Sequence, residues 1–263
     1  MMPEQSDALD LVVKELEARG LVPEDALAVF AGGSYARGWN NADSDVDLYV
    51  VSDESSPGVA TTPPLVPLPP NIPMEWASAG GIDCDIEYWT ADQVWTSIAR
   101  FEAHAGRIPD SATVEHLSLE EIYLLERLHQ PLIARGGEWL ESTAARLKAS
   151  EYHRVILGWC FDHADNCCED ALGQLASDDA EAATISARSA FGFTIDGLLA
   201  SYGEYGRAPK WRPRRFRAVD PREIMFDTYW AVEVMVEYDP TNPRLWIEST
   251  VGKCRQIMSE VVM

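Results

Sequence analysis

The sequence predicts an α+β protein, in which a mixed β-sheet flanked by helices is followed by a C-terminal α-helical bundle. The segments that alternate like β-strands come before residue 90, whereas the apolar periodicity is helical throughout after about residue 147. At 263 residues the chain exceeds the usual single-domain length of roughly 100–200 residues, so it holds one large domain or two of medium size. The change of pattern favours two domains, 1–146 and 147–263.

Strands are predicted at 27–31, 45–51 and 81–89, because these segments are rich in β-branched and aromatic residues and are bounded by turn residues. Between the second and third lies a stretch with seven prolines from Pro57 to Pro73, which suits neither a helix nor a central strand. A connection of this length is either a lid or binding loop, or a tether.

The first predicted helix runs from Ser6, a candidate N-cap, to Gly20, a candidate stop. Its apolar residues recur at helical spacing. Further helices are predicted at 91–104, at 118–129, from about 138, and at 149–176, 179–203, 221–237 and 243–260, with a short edge element at 131–137. The arginine-rich stretch 203–215 is interpreted as a connection within the bundle.

The composition is that of a folded protein, with 46% hydrophobic and 24% charged residues. A net charge of −22 repels a phosphate backbone, so nucleic acid is an unlikely partner and a cationic one fits better, unless the acidity serves only solubility. We expect a cytoplasmic protein without a membrane partner, because the sequence shows neither a signal peptide nor an apolar run of ~20 residues. Five cysteines, an odd number, agree with a reducing compartment. The sequence leaves open whether the protein forms a homodimer.

A glycine turn follows the first predicted strand, in the segment "VFAGGSYARG". Strand, glycine turn and helix start form an arrangement whose backbone N–H groups can bind an anion, so Gly33 and Ser34 are candidate phosphate contacts. The segment matches neither the P-loop nor the dinucleotide-binding pattern. Taken alone, a plain structural turn explains it better.

Two aspartates alternate in the second predicted strand. Because residues two apart project from the same face, Asp45 and Asp47 stand ~7 Å apart at Cα, close enough for both carboxylates to bind one divalent metal ion. Two like charges side by side destabilise a strand unless a cation lies between them. Magnesium is the natural candidate, because it prefers carboxylate and phosphate oxygens.

The third predicted strand adds further acids on one face, Asp83, Asp85 and Glu87. A neighbouring strand can bring one of them to the same metal site. The alternative is an edge strand with a solvated acidic face.

In order and spacing, "GGSYARG", "SDVDLYV" and "CDIEYW" resemble the motifs of the DNA polymerase beta-like nucleotidyltransferase superfamily, most closely those of kanamycin-type antibiotic nucleotidyltransferases and their uncharacterised bacterial relatives. The resemblance implies that Gly33 and Ser34 hold a nucleoside triphosphate and that Asp45 and Asp47 ligate Mg²⁺. Asp85 would be the third carboxylate, as a metal ligand or as the base, and a two-residue shift in register would put Asp83 or Glu87 in its place.

The reaction implied by this resemblance is transfer of a nucleoside monophosphate, AMP from ATP as the first candidate, to a hydroxyl of a small acceptor, with release of pyrophosphate. An aminoglycoside-like antibiotic suits the acidic chain. The alternatives are nucleotidylation (AMPylation) of a toxin-like protein partner, or a catalytically silent module that binds a nucleotide or a partner.

Further candidate nucleotide contacts are Arg37 and Ser44, although Arg37 fits a plain surface role equally well. In the second half, a basic cluster surrounds Lys210, which would bind the triphosphate unless the cluster is a solvated loop or forms internal salt bridges. Kanamycin-type enzymes carry a similar Glu…Lys-Trp stretch, which makes Glu204 a third candidate base and adds weight to Lys210.

Overall fold

The computed structural model describes residues 3–41, 44–53, 72–107 and 112–262. Most of the predicted proline-rich loop, up to residue 71, lies outside the described residues. The chain divides into two compact units. The sheet unit comprises Met1–Ala105 and Glu115–Ser150, and the helical unit comprises Gly106–Val114 and Glu151–Met263.

A five-stranded mixed sheet forms the centre of the sheet unit. Its strands are β1 (Ala28–Ala31), β2 (Val46–Ser52), β3 (Met74–Ala79), β4 (Ile82–Thr90) and β5 (Leu132–Arg135), in the order β3-β4-β2-β1-β5. Strands β2 and β4 are parallel, and the other neighbours are antiparallel. The three predicted strands and the predicted edge element are confirmed, whereas the edge strand β3 was not predicted.

The sheet unit also contains the helices α1 (Pro3–Ala18), α2 (Gly33–Ala36), α3 (Ala91–Glu102), α5 (Leu119–Arg127) and α6 (Gly137–Ala149). The short helix α4 (Ala112–Glu115) lies almost entirely in the segment Gly106–Val114, which belongs to the helical unit. Ser6 as an N-cap was wrong, because α1 begins at Pro3. Gly20 as the stop is confirmed, since it takes the left-handed φ of +73° and the next N–H, of Leu21, bonds back to Leu16 O at 2.9 Å. The predicted domain boundary at 146/147 falls inside α6.

The two faces of the sheet differ in character. Leu9, Val12 and Leu16 of α1 pack in one apolar cluster with Leu48 of β2 and Ile86 of β4. Side chains alternate along a strand, so the residues between these buried positions stand on the opposite face. The fold therefore sets the acidic residues of β2 and β4 on the face away from α1.

The helical unit is a bundle of α7 (Tyr152–Ala176), α8 (Ala180–Ser201), α9 (Arg212–Val219), α10 (Phe226–Glu233) and α11 (Pro243–Val262). Helix α8 packs against both α7 and α11. The predicted bundle is confirmed, but the stretch 203–215 is not a mere connection. It contains a 3-10 turn, Pro209–Trp211, and the start of α9.

No helix within the described ranges is long and apolar enough to cross a membrane.

Candidate active site

The glycine turn connects β1 to the one-turn helix α2. The N–H of Gly32 donates to Asp47 O at 2.9 Å, which extends the pairing of β1 with β2 by one residue. Gly33 has a φ of +61°, a conformation that favours glycine. The predicted sequence of strand, turn and helix is thus present, and Gly33 and Ser34 form the first residues of α2.

Close approach of side chains explains why two glycines follow each other. A Cβ on Gly32 would collide with the aliphatic stem of Arg127 and would lie 3.0 Å from the ring of Tyr49. A Cβ on Gly33 would collide with the Asp47 carboxylate. The turn therefore lies directly against a carboxylate on one side and an arginine on the other.

Three carboxylates converge beside this turn. Asp47 on β2 and Asp85 on β4 are direct partners in the parallel register, and Asp45 immediately precedes β2. Burial raises the pKa of Asp85, and the charges of Asp45 and Asp47 and a side-chain hydrogen bond with Asp45 raise it further. The structure thus brings together the three predicted metal ligands. The register sets Asp85 beside Asp47, while Asp83 pairs with Ser78.

Glu87 stands one step further along the same face of β4, opposite Tyr49 of β2. Its carboxylate accepts a hydrogen bond of 2.9 Å from Trp89 Nε1. Burial is the main cause that raises the pKa of Glu87 to about 7, while Trp89 and Arg127 act in the opposite direction. A carboxyl group of this kind can exchange a proton near neutral pH.

Arg127 is a residue of this site that the sequence analysis missed. It is the last residue of α5, and its side chain is only 18% exposed. Its Nη2 lies 3.6 Å from Asp47 Oδ2, its Nη1 lies 3.5 Å from Glu126 Oε2, and its guanidinium lies over the ring of Tyr123. In the sequence alone, an arginine in the last turn of a helix indicates no more than a favourable interaction with the helix dipole.

The unpredicted strand β3 adds two exposed apolar side chains to the acidic face. Trp76 is opposite Asp85 and is 65% exposed, and Met74 is opposite Glu87 and is 46% exposed. Cross-strand partners on one face have Cβ atoms about 5 Å apart. A molecule that reaches the carboxyl group of Asp85 from the side of β3 therefore also meets the indole of Trp76.

The remaining candidate contacts of the sheet unit have other neighbours. Arg37 lies at the opposite end of α2 from Gly33, where its guanidinium is 4.0 Å from the ring centre of Trp39 and lines a cavity of about 680 Å³. The Ser44 hydroxyl accepts from Asn41 N at 2.9 Å and donates to Asn41 Oδ1 at 3.0 Å. Their roles at a nucleotide stay predictions.

The basic cluster of the helical unit splits into two kinds of residue. Arg212 and Arg215 are buried and form ion pairs with Asp196, as the alternative of internal salt bridges foresaw. Lys210 is exposed, with its Nζ 5.2 Å from the ring centre of Trp211, whereas Glu204 is buried. Binding of the triphosphate by Lys210 and a role of Glu204 as the base stay predictions.

The donor chemistry of Asp45, Asp47 and Asp85 fits magnesium. Within the described residues, no group of three or more His, Cys, Asp or Glu side chains is arranged to hold a metal ion alone. Magnesium in nucleotide-binding sites, however, is typically bound by one or two carboxylates and completed by substrate phosphates and waters. The carboxylates of Asp45, Asp47 and Asp85 beside the glycine turn could supply such a partial set.

Residues 9–127 match the family model of the nucleotidyltransferase domain. The matched segment contains the glycine turn and all three carboxylates, and it ends at Arg127. Over the whole chain, the fold is similar to the crystal structure of a nucleotidyltransferase-like protein from Exiguobacterium sibiricum 255-15, with a TM-score of 0.51. The two proteins are 8% identical, and the alignment covers 96% of this chain and 75% of that one. No curated protein matches this chain.

Proposed function

We propose that this protein is a Mg²⁺-dependent nucleotidyltransferase. It transfers a nucleoside monophosphate, AMP from ATP as the first candidate, to a hydroxyl of a small molecule and releases pyrophosphate. The observation that carries the proposal is the convergence of Asp45, Asp47 and Asp85 against the Gly32–Gly33 turn. The nucleotidyltransferase-domain match over residues 9–127 supports the same class of reaction.

In this mechanism the N–H groups of Gly33 and Ser34 donate to phosphate oxygens of the donor. Asp45, Asp47 and Asp85 would hold Mg²⁺, which neutralises charge on the phosphates and stabilises the charge that develops on the attacking and leaving oxygens. The acceptor hydroxyl loses its proton to a carboxylate as it attacks the α-phosphorus. Asp85 and Glu87 are the candidates on this face, and Glu87 has the pKa, about 7, that suits a base at neutral pH.

The acceptor side of the proposed site is the open edge formed by Trp76 and Met74. An exposed indole beside several carboxylates favours a molecule with a cationic group, because such a group can contact the indole face and the acids together. Aminoglycoside-like antibiotics, which carry amines and hydroxyls, are the first acceptors to test, and antibiotic resistance is the corresponding biological role.

The direct test is pyrophosphate release from each of the four NTPs with Mg²⁺ over a panel of amino sugars and other small hydroxyl compounds. We expect Asp45→Asn to lower the rate about a thousandfold, since the loss of a metal-binding carboxylate removes several kcal/mol of charge stabilisation. The matched control is Asp53→Asn, because Asp53 is exposed and lies just beyond the other end of β2.

Two outcomes would redirect the proposal. Equal rates for Asp45→Asn and wild type would show that the carboxylates have no part in the reaction. Transfer of AMP to a co-purified protein, detected by the added mass, would make a protein the acceptor instead of a small molecule.

A further inference from the structure

We propose that Arg127 is a substrate-binding residue that recognises the triphosphate of the donor, and that it pairs with Asp47 only until the metal arrives. This inference rests on the proposed function. Nothing in the nucleotidyl-transfer motifs of the sequence points to Arg127, because it lies at the end of α5 and far along the chain from both the glycine turn and the aspartates.

The donor groups of Arg127 are poorly used. A guanidinium has five N–H donors, and charge-assisted hydrogen bonds from it measure about 2.7–2.9 Å. Arg127 approaches Asp47 only to 3.6 Å and Glu126 to 3.5 Å, and its Nε is buried without an acceptor among the described residues. Its contact with Tyr123 uses the face of the guanidinium and satisfies no N–H group. The two terminal nitrogens have only these long contacts, so an anion that supplies acceptors to them could form shorter, charge-assisted hydrogen bonds.

The position of Arg127 directs these donors to the turn. Its stem packs against Gly32, and its Nη2 lies 3.7 Å from the point that a Cβ of Gly33 would occupy. Phosphate oxygens that accept from the N–H groups of Gly33 and Ser34 would therefore be within reach of the guanidinium. The planar fork of arginine matches the geometry of a phosphate group better than a lysine ammonium does.

The long contact with Asp47 suits an exchange of partners. Asp47 lies beside Asp85 in the register, and both charges act on each other. A divalent cation bound by these carboxylates would replace the attraction that Arg127 now supplies to Asp47. The guanidinium would then be available to the phosphates that arrive with the cation.

Unsatisfied N–H groups alone do not mark such a residue, because Arg215 also has buried N–H groups without an acceptor. Arg215 is, however, bound to Asp196 by a hydrogen bond of 2.6 Å, which fixes its head. Arg127 forms no side-chain hydrogen bond with the described residues. Its head is held by long contacts only, and it is the arginine that adjoins the glycine turn.

The test is calorimetric titration of the full-length protein with two probes, Mg²⁺ alone and inorganic tripolyphosphate in saturating Mg²⁺. For Arg127→Met we expect tripolyphosphate to bind about ten- to a hundredfold more weakly, the usual loss for a hydrogen bond to a charged group. Binding of Mg²⁺ alone should be unchanged or tighter, because a competitor for Asp47 is removed. Arg127→Lys should recover part of the tripolyphosphate affinity.

The control is Arg146→Met, which removes an arginine of the same unit that is bound to Glu102 at 2.7 and 2.8 Å. We expect wild-type affinity for both probes in this variant. Should Arg127→Met not fold, Arg127→Lys supplies the test, since it keeps the charge but loses the fork.

Two results would overturn the inference. Unchanged tripolyphosphate binding in the Arg127 variants would exclude contact with the phosphates, and equal weakening for both probes would show that Arg127 only supports the local structure. A wild-type protein that binds no Mg²⁺–tripolyphosphate would instead reject the proposed function itself, so the two failures are distinguishable.

Discussion

The sheet unit and the helical unit each contain aspartate beside arginine, but the contacts differ in kind. In the helical unit, Asp196 accepts from Arg212 at 3.0 and 2.8 Å and from Arg215 at 2.6 Å, so both of its oxygens are bonded. In the sheet unit, Asp47 meets Arg127 at 3.6 Å. The first pairing is closed by internal hydrogen bonds, whereas the second leaves carboxylate oxygens available.

This difference separates a structural ion pair from a candidate binding site. A buried charge is tolerated when partners satisfy it, and Asp196 meets this condition within the chain. The carboxylates around Asp47 lack such partners: burial raises the pKa of Asp85, and the charges of Asp45 and Asp47 raise it further. Removal of an aspartate charge should therefore lower the stability of the protein at the Asp196 cluster and raise it at the metal-free acidic face.

The largest effect is expected at the closed cluster. Asp196→Ala leaves Arg212 and Arg215 buried without their main partner, and we expect the free energy of unfolding to fall by about 3–5 kcal/mol. Urea denaturation measures the change. Asp162→Asn, at an exposed position on α7, should stay within about 0.5 kcal/mol of wild type. A loss below about 1 kcal/mol for Asp196→Ala would mean that the cluster contributes little to stability.

The acidic face should give a pH dependence through Glu87. Its pKa is raised by burial from 4.5 to about 7, so the folded state binds a proton that the unfolded state has released. The protonated form of Glu87 contributes its full stabilisation of the folded state below about pH 4.5, and this contribution is lost as the pH rises through about 7. The free energy of unfolding should fall by about 3 kcal/mol over this range. Unfolding measured from pH 5 to 8 should show this decline in wild type and a flatter profile in Glu87→Gln. Identical profiles for the two proteins would contradict the prediction.

A smaller effect is expected at the glycine turn. Gly33→Ala places a side chain at a φ of +61° and against the Asp47 carboxylate, and we expect a loss of about 2 kcal/mol. Gly81→Ala has a similar φ, +78°, but nothing within 4 Å of the added Cβ, so it should lose only about 1 kcal/mol. Thermal unfolding compares the two, and a greater loss for Gly81→Ala would argue against the close approach of Asp47.

The smallest expected effect has the opposite sign to that at Asp196. Asp45→Asn removes one of the like charges around Asp85, and we expect the metal-free protein to gain a few tenths of a kcal/mol. Urea denaturation with a chelator present measures this gain, and added Mg²⁺ should reverse the order of wild type and variant. A variant less stable than wild type in the absence of metal would show that Asp45 makes a structural contact.

Local patterns predicted most of the fold. Strands β1, β2 and β4 have a β-rich composition between turn residues, and the long helices have helical periodicity, so the signals lie within the segments themselves and the sequence is sufficient to find them. Strand β3 was missed because it directly follows the proline-rich stretch and contains no β-branched residue. Helix α9 was missed because two of its buried residues are arginines, Arg212 and Arg215, whose burial depends on Asp196, a residue distant in sequence.

In the candidate site, too, the local motifs were predictable from the sequence and the contacts between distant residues were not. The Asp-x-Asp alternation and the glycine turn are local, and the structure brings them together. Strand alternation places Asp83 and Asp85 on the same face, two residues apart, and does not distinguish between them. The register of β4 against β2 is needed to choose Asp85. Arg127 and Trp76 needed the tertiary structure, because each becomes relevant only through a neighbour from another element.

The tight fit of the Gly32–Gly33 turn also constrains how such a sequence can diverge. A larger residue at position 32 is compatible only with a shorter side chain at position 127, and a larger residue at position 33 requires a change at position 47. Among homologous sequences these two pairs of positions should therefore vary together. A family in which position 32 is free to vary while the arginine is retained must carry a different backbone path at the turn.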